Sequence, residues 1–538
     1  MIVAAHAQAA EAGLSMLARD GSAVDAAIAA QLVLGLVEPQ SSGLGGGGFM
    51  LVHDARLRRA LAYDGRETAP AAARPDRFLD AQGRPLAYAE AVVGGRSVGV
   101  PGVVALMAEV HREHGRLPWA TLFEPAITLA EHGFSVSARL AQLIAREGSA
   151  LHNGRGSGYF YDKGGVPLRE GQTMRNPAYA STLRRIADAG AAVFYGGDIA
   201  QDIVATVRGD ATAPGDMVLD DLARYRVIVR EPVCAPYRGY RVCSMPLPSS
   251  GGPTLLQMLA YLAPHDVAAM GPASFWSVHF IAEAGRLAYA DRAAYMADPA
   301  YAPPPPWLLD AGYLRARSRM IRPTATLGIA SPGTPVDAAG SATTTQGLHE
   351  GLEFASTSHI SVVDAHGNAV SYTTSIERAF GSRLMTQSGF MLNNQLTDFS
   401  FRPEHDGHPV ANRVQPGKRP RSSMAPTIVY DDAGRVFMVV GSPGGSAIIN
   451  YVAKTLIAVL DWKLDPREAI ALPNFGSRNG PTELERGTGV SELVGKLVAM
   501  GHEVSIIDQT SGVHAIVRGG RGWMGAADPR REGVARGQ

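Results

Sequence analysis

The stretch from Phe354 to Ser400, FASTSHISVVDAHGNAVSYTTSIERAFGSRLMTQSGFMLNNQLTDFS, constrains this chain more than any other. Small polar residues Ser356-Thr357-Ser358 lead into an alternating run, His359-Ile360-Ser361-Val362-Val363. Asp364 to Asn368 supply a tight turn, and a second run extends from Ala369 to Ser375. Alternation interrupted by a Gly/Asn turn predicts a β-hairpin. Thr357 and Ser375 lie on opposite strands near its open ends, so folding can bring their hydroxyls together. Freed as an amino terminus, a strand-opening threonine carries its own base, because its α-amine can accept the Oγ proton. Thr and Ser also favour strands and turns for conformational reasons alone, so the hairpin needs support from the rest of the chain.

The chain has 538 residues, 46% hydrophobic and 19% charged. That is enough for a large core and for two or more folding units. Lys+Arg and Asp+Glu are both 50, giving zero formal charge, and no long basic run occurs. Nucleic acid is therefore excluded as a partner class, since phosphate binding needs concentrated positive charge. Cys234 and Cys243, spaced C-x8-C, carry no metal or redox signature. They read as two small apolar core residues, with a hairpin disulfide as the alternative. No apolar run is long enough for a membrane span. The start, MIVAAHAQAAEAGLSML, lacks a basic leader region and reads as the beginning of a helix. As written, the chain is expected to be cytoplasmic; a true start further upstream would make it periplasmic or secreted.

Residues 5–36 read as two helices split at Asp20-Gly21. Four glycines, Gly45 to Gly48, then enter an apolar strand, which implies close backbone approach. The rival reading, a phosphate-binding loop, lacks the Gly-Lys-Ser/Thr ending and the Gly-x-Gly-x-x-Gly frame. A strand at 60–64 leads to Asp64-Gly65-Arg66-Glu67, where Arg66 either pairs with Glu67 or aims a bidentate fork at a carboxylate. Helical patterns follow at 101–115, 119–132, 176–189 and 274–297, and the turn Pro246 to Thr254 feeds another helix. The Gly/Ser/Thr/Pro-rich segment 330–356 reads as exposed and flexible. Beyond the hairpin, Gly444-Gly445-Ser446 open an amphipathic helix, and N–H groups at such a position can hold an oxyanion.

Together the motifs AVDAAIAAQLVLGLVEPQSSGLGGGGFML, DGRETAP, STSHISVVDAHGNAVSYTTSIERAFGS, MLNNQLTDFS, RSSMAPTI and GSPGGS resemble the γ-glutamyltransferase family, in the family's order, over about residues 5 to 470. The resemblance implies an α+β fold, the four-layer αββα N-terminal-nucleophile hydrolase sandwich. It implies a precursor that cuts itself between Ser356 and Thr357 into a large fragment, 1–356, and a small one, 357–538, which share one intertwined core. A further dimer of these heterodimers is left open. By position, Thr357 resembles the nucleophile, and Ser375 stands where the family has a threonine bonded to it. Gly444 and Gly445 look like the oxyanion hole. Arg66, Ser422 and Ser423 look like a clamp for the substrate α-carboxylate, and Gln395 and Asp398 like a cage for its α-ammonium. No metal or organic cofactor is implied.

Two departures stand out. Glu377 occupies a position where family members commonly carry Asn, beside the ammonium cage. The stretch from Asp398 to Ser422 is also short compared with members whose site is covered by a lid loop. The leading expectation is a self-processing enzyme that transfers the γ-glutamyl group of glutathione-like compounds to water, an amino acid or a dipeptide. The runner-up is a cephalosporin/glutaryl acylase of the same family. Glutaryl groups lack the ammonium and would leave Asp398 and Glu377 facing no cation. A non-enzymatic binding relative is the third reading; it ranks last because every expected catalytic position carries workable chemistry.

Overall fold

The computed structural model describes residues 1–151, 156–334, 356–520 and 522–537. Most of the 330–356 segment predicted to be exposed lies outside the described residues. The predicted hairpin forms, with strands Ser358–Val363 and Ala369–Ser375 in antiparallel register, Thr374 opposite Ser358. It lies at the centre of a seven-stranded sheet. Ile2–Ala4 pairs with its first strand, and Gly47–Asp54 with its second. A second sheet of six strands, among them Thr427–Tyr430, Val436–Gly441 and His514–Gly519, packs against the first.

Alternation along the strands builds the layers. Met50, Val52, Ile360, Val362, Val370 and Tyr372 face a cluster shared with helices Ala7–Ala18, Ala23–Val37 and Val103–His114. Phe49, Leu51, Val363 and Ala369 face the other way, into a cluster shared with the second sheet and helices Gly251–Leu262, Phe275–Tyr295 and Ile448–Leu460. The result is the expected αββα sandwich. Among the described residues, no helix is long and apolar enough to cross a membrane.

Two sequence expectations are corrected. Helix Ile448–Leu460 carries the expected polar stripe, but every residue is buried, so that stripe faces the interior and not water. It is packed between the second sheet and neighbouring helices, and its polar residues find internal partners: Lys454 Nζ donates to Leu472 O at 2.8 Å and to Asn474 Oδ1 at 3.0 Å. The second correction concerns the cysteines, which are not a pair of free core residues. Strands Val233–Tyr237 and Tyr240–Ser244 turn at Arg238-Gly239, which sets Cys234 opposite Cys243, and the two form a disulfide.

The face between the sheets carries a polar seam beside the hairpin. Ser371 Oγ donates to Val440 O at 3.0 Å, Ser361 Oγ to His514 O at 3.1 Å, and His514 Nδ1 to His359 O at 2.7 Å. Elsewhere His279, Glu283 and His502 come together, all buried. Glu283 Oε1 accepts from Arg286 Nε at 2.9 Å and from Thr326 Oγ1 at 2.7 Å, and the two imidazoles are engaged in one chain of bonds. Arg286 donates to Thr482 Oγ1 at 2.9 Å, Thr482 pairs with His502 Nδ1 at 2.8 Å, and His502 Nε2 meets His279 Nδ1 at 2.8 Å. His279 Nε2 closes the chain on Arg322 O at 2.7 Å.

Burial pushes His514 down to about 4 and holds His359 well below its usual value, so both are neutral in the folded protein. An unfolded histidine titrates near 6.5, so between pH 6.5 and 4 the unfolded chain binds more protons. The stability supplied by neutral His514 is therefore complete above about pH 6.5 and is lost as pH falls toward 4, to the extent of about 3 kcal/mol. The urea midpoint is expected to drop over that window, and His514→Gln to flatten the drop. Identical slopes in the two proteins would remove His514 as the cause.

Candidate active site

Glycine builds the floor of the site. A Cβ on Gly45 would lie 2.1 Å from Met391 O, and one on Gly46 2.2 Å from Ser375 O. The run therefore serves close backbone approach, which lets strand Gly47–Asp54 lie against the end of the hairpin, with Gly47 opposite Ser375.

At that end Thr357 is buried, and its Oγ1 lies 3.1 Å from Ser375 Oγ. Ser375 Oγ donates to Ser356 O at 2.9 Å and accepts the Glu377 N–H at 2.8 Å. Ser375 has one hydroxyl proton, and the Ser356 carbonyl takes it, so Thr357 must donate to Ser375. The Ser375 hydroxyl thus links the Thr357 hydroxyl to the carbonyl oxygen that precedes Thr357. Arg531 Nη1 donates to Thr357 O at 3.2 Å, and Ser356 Oγ to Gln40 O at 2.6 Å, which fixes both sides of this peptide.

A cleft opens over Thr357, lined by Arg66, Ser375, Glu377, Gln395, Asp398, Ser422, Ser423, Met424, Gly445 and Ile448. Of the residues singled out in the sequence, Ser356 and Gly444 are outside this lining. Ser356 immediately precedes Thr357. Gly444 precedes the single turn Gly445–Ala447 that enters the helix beginning at Ile448. Gly444 and Gly445 have φ of +143° and +58°, and a Cβ on Gly444 would lie 2.5 Å from the Tyr451 ring. At Gly444 only glycine fits, and Gly445 lies in the cleft wall. A larger cavity of about 560 Å³, lined in part by His53, Glu113, His114 and Asn368, lies at the turn end of the hairpin and contains none of these residues.

Arg66 is buried and heavily bonded. Its Nη2 donates to Asp398 Oδ2 at 2.5 Å and to Arg421 O at 2.8 Å, and its Nε to Pro420 O at 3.1 Å. Glu67 is 3.8 Å away, so the tight ionic partner is Asp398 rather than the sequence neighbour. Burial raises Glu67 to about 8, partly offset by Arg66, and neither of its carboxylate oxygens has a hydrogen-bond partner among the described residues.

Asp398 Oδ2 also accepts from Gln395 Nε2 at 2.6 Å. Gln395 Oε1 is buried without a partner among the described residues, an acceptor left over in the cleft wall. Ser422 and Ser423 are held by the loop Pro246 to Thr254 and its neighbour. Ser250 N donates to Ser422 O at 2.8 Å, and Arg292 Nη2 to Ser423 Oγ at 2.6 Å. The short stretch after Asp398 folds back as a small hairpin, Glu404–His405 with His408–Pro409.

Sequence reasoning missed several participants. Tyr88 Oη donates to Glu377 Oε1 at 2.7 Å, Asn394 Nδ2 donates to Glu377 Oε2, and Arg531 reaches Thr357 from the far end of the chain. No motif marks Tyr88. The MLNN run did signal a turn around Asn394 without giving it a partner.

With this geometry in place, similarity to known proteins becomes informative. The family model for gamma-glutamyltranspeptidase matches residues 9–538. The glutathione hydrolase proenzyme of Bacillus subtilis is 36% identical over 508 residues, covering 94% of this chain and 85% of the relative. Among solved structures, the cephalosporin acylase of Bacillus halodurans superposes with a TM-score of 0.86 at 26% identity, covering 100% of this chain and 96% of that one. Helicobacter pylori gamma-glutamyltranspeptidase superposes with a TM-score of 0.59 at 35% identity, covering 62% of this chain and 96% of that one. A family match over nearly the whole length, on a sandwich whose central hairpin opens with Thr357, has one meaning: the chain belongs to the gamma-glutamyltranspeptidase family.

Proposed function

We propose that the protein is a self-processing γ-glutamyltransferase and hydrolase, cut between Ser356 and Thr357. The observation that carries this reading is the cleft itself, which gathers hydroxyl, guanidinium, amide and carboxylate groups from distant parts of the chain around one threonine. In the precursor, Thr357 Oγ1 attacks the Ser356 carbonyl carbon. The Thr357 hydroxyl proton passes to Ser375 Oγ as Ser375 gives its own proton to the Ser356 carbonyl oxygen, and a proton from this relay is delivered to the Thr357 nitrogen as it departs. The C–N bond breaks, which frees the Thr357 α-amine and leaves Ser356 esterified to Thr357 Oγ1. Water then hydrolyses the ester, giving the Ser356 carboxylate at the end of fragment 1–356 and restoring the Thr357 hydroxyl.

In the cut enzyme that amine accepts the Oγ1 proton as Thr357 attacks the γ-carbonyl of the donor. N–H groups at Gly444 and Gly445 hold the oxyanion. The α-ammonium then protonates the departing amine, leaving a γ-glutamyl ester on Thr357. Water, an amino acid or a dipeptide attacks this ester, giving its proton back to the α-amine. Arg66, Ser422 and Ser423 hold the donor α-carboxylate. Gln395, Asp398 and Glu377 hold its α-ammonium, and the spare Gln395 Oε1 suits a donor N–H. The heterodimer, and any dimer of it, works in an oxidising compartment; the Cys234–Cys243 disulfide supports that location.

Glutaryl transfer is the second reading, favoured by the fold likeness to an acylase. It is opposed by Glu377, a carboxylate that a glutaryl group leaves facing no substrate ammonium, while the charge of Asp398 is already offset by Arg66. Matched γ-glutamyl and glutaryl anilides decide between them. The wild type is expected to prefer the γ-glutamyl donor, and Glu377→Asn to lower kcat/KM on it while gaining relatively on the glutaryl donor. A shift toward γ-glutamyl in the variant would make the acylase reading the better one.

A further inference from the structure

Glu377 is held with unusual care for a side chain at the mouth of a cleft. Its backbone φ is +75°, a left-handed conformation that a bulky residue rarely adopts, and its N–H is fixed on Ser375 Oγ. Both carboxylate oxygens accept hydrogen bonds, Oε1 from Tyr88 Oη and Oε2 from Asn394 Nδ2. Asn394 is itself fixed, since its Oδ1 accepts the Arg378 N–H at 3.0 Å.

Tyr88 cannot easily swing away. Its ring lies parallel to Phe401, centroids 6.4 Å apart and planes 6° apart, and Phe401 stacks on Phe78 at 4.7 Å. The Arg378 guanidinium lies 5.9 Å from the Tyr88 centroid.

We propose that Tyr88 is a specificity-determining positioning residue: its hydroxyl aims the Glu377 carboxylate into the cleft and so selects donors that carry an α-ammonium. The proposal rests on the γ-glutamyl reading above. Burial, and then the charge of Glu377, push the Tyr88 phenol well above its ordinary value, so the hydroxyl stays a donor throughout the working range. Asp398 plays a different part, because the Arg66 guanidinium at 2.5 Å offsets its charge. Glu377 is held by a phenol and an amide, Tyr88 and Asn394. Tyr88 belongs to the fragment 1–356 and Glu377 to 357–538, so the selection is complete only in the assembled heterodimer.

Tyr88→Phe keeps the ring and its stacking and removes only the hydroxyl. With matched anilides, the variant is expected to lower the ratio of kcat/KM for γ-glutamyl over glutaryl about tenfold, mainly through KM for the γ-glutamyl donor. Tyr88→His, which keeps a flat ring and an N–H, is expected to recover part of the ratio. In a Glu377→Asn background, Tyr88→Phe is expected to change nothing further. Equal losses on both donors would reduce Tyr88 to a packing residue and overturn the proposal, as would an unchanged ratio or an undiminished effect in the Glu377→Asn background. The wild-type arm separates the two readings: a wild type that prefers the glutaryl donor removes the γ-glutamyl function, and the proposal with it.

Discussion

Thr357→Ala protein is expected to purify as one 56.7 kDa chain with no measurable transfer activity. Wild-type protein should instead show two fragments on a denaturing gel, the smaller beginning Thr-Ser-His-Ile-Ser. One oxygen serves both events. In the proposed mechanism Thr357 Oγ1 is the attacking atom in the cut and in the turnover, and Ala has nothing to put in its place. Removing the nucleophile of an acyl-transfer enzyme costs on the order of 10⁴-fold or more in kcat. Here the amine that acts as base is also lost, because it is created only by the cut. Ser375→Ala offers a useful contrast. It leaves the nucleophile but removes the hydroxyl that donates to Ser356 O, so it should slow the cut without abolishing it. If Thr357→Ala protein is still cut at the same bond, Thr357 is not the nucleophile.

Arg66→Lys is expected to process normally and to lose kcat/KM on γ-glutamyl donors by on the order of 10- to 1,000-fold, with little change in the gel pattern. The guanidinium spends its Nε and Nη2 on Pro420 O, Arg421 O and Asp398, so its plane is set by the protein before a substrate arrives. No two-nitrogen fork is left for a substrate, and Nη1 alone can reach its carboxylate; a lysine, with a single nitrogen, cannot keep those contacts and also reach the substrate. It would also leave Asp398 buried beside a point charge of different reach. Unchanged kinetics would return Arg66 to a structural ion pair with Asp398.

The hairpin and the glycine run were legible because both are short-range signals. The period of two from His359 to Ser375 fixes which side chains face which sheet, and only glycine tolerates carbonyl oxygens at 2.1 and 2.2 Å from a Cβ position. Residues far apart in sequence, such as Thr357, Gln395 and Gly445, could be assigned to one site only through the family resemblance. What stayed hidden depends on tertiary neighbours. The partner of Arg66 is 332 residues away, while an acidic neighbour sits next to it in sequence. Whether Cys234 meets Cys243 is decided by strand register, because a one-residue slip would put them on opposite faces. The helix after Gly445 shows a polar stripe that suggests a wet side, yet Lys454 and Asn450 on that stripe are buried. Tyr88 sits in a stretch with no periodicity, and its importance comes entirely from where Glu377 is.

The order of strands in the central sheet bears on how such a molecule comes into being. Val534–Arg536, Ile2–Ala4, Ser358–Val363, Ala369–Ser375 and Gly47–Asp54 are successive neighbours, so strands from either side of residue 357 are interleaved. The His279–His502 bond and the Arg66–Asp398 pair add further stitches across the same boundary. The cut proposed before Thr357 would therefore separate no strand from its neighbours, and the cut enzyme would be held by the same contacts as the uncut chain. Folding is another matter. A continuous chain must close these long-range pairings once, and two separate chains would also have to find each other while their strand edges lay open. Under the proposed cut before Thr357, the covalent link serves as a scaffold for a single folding event.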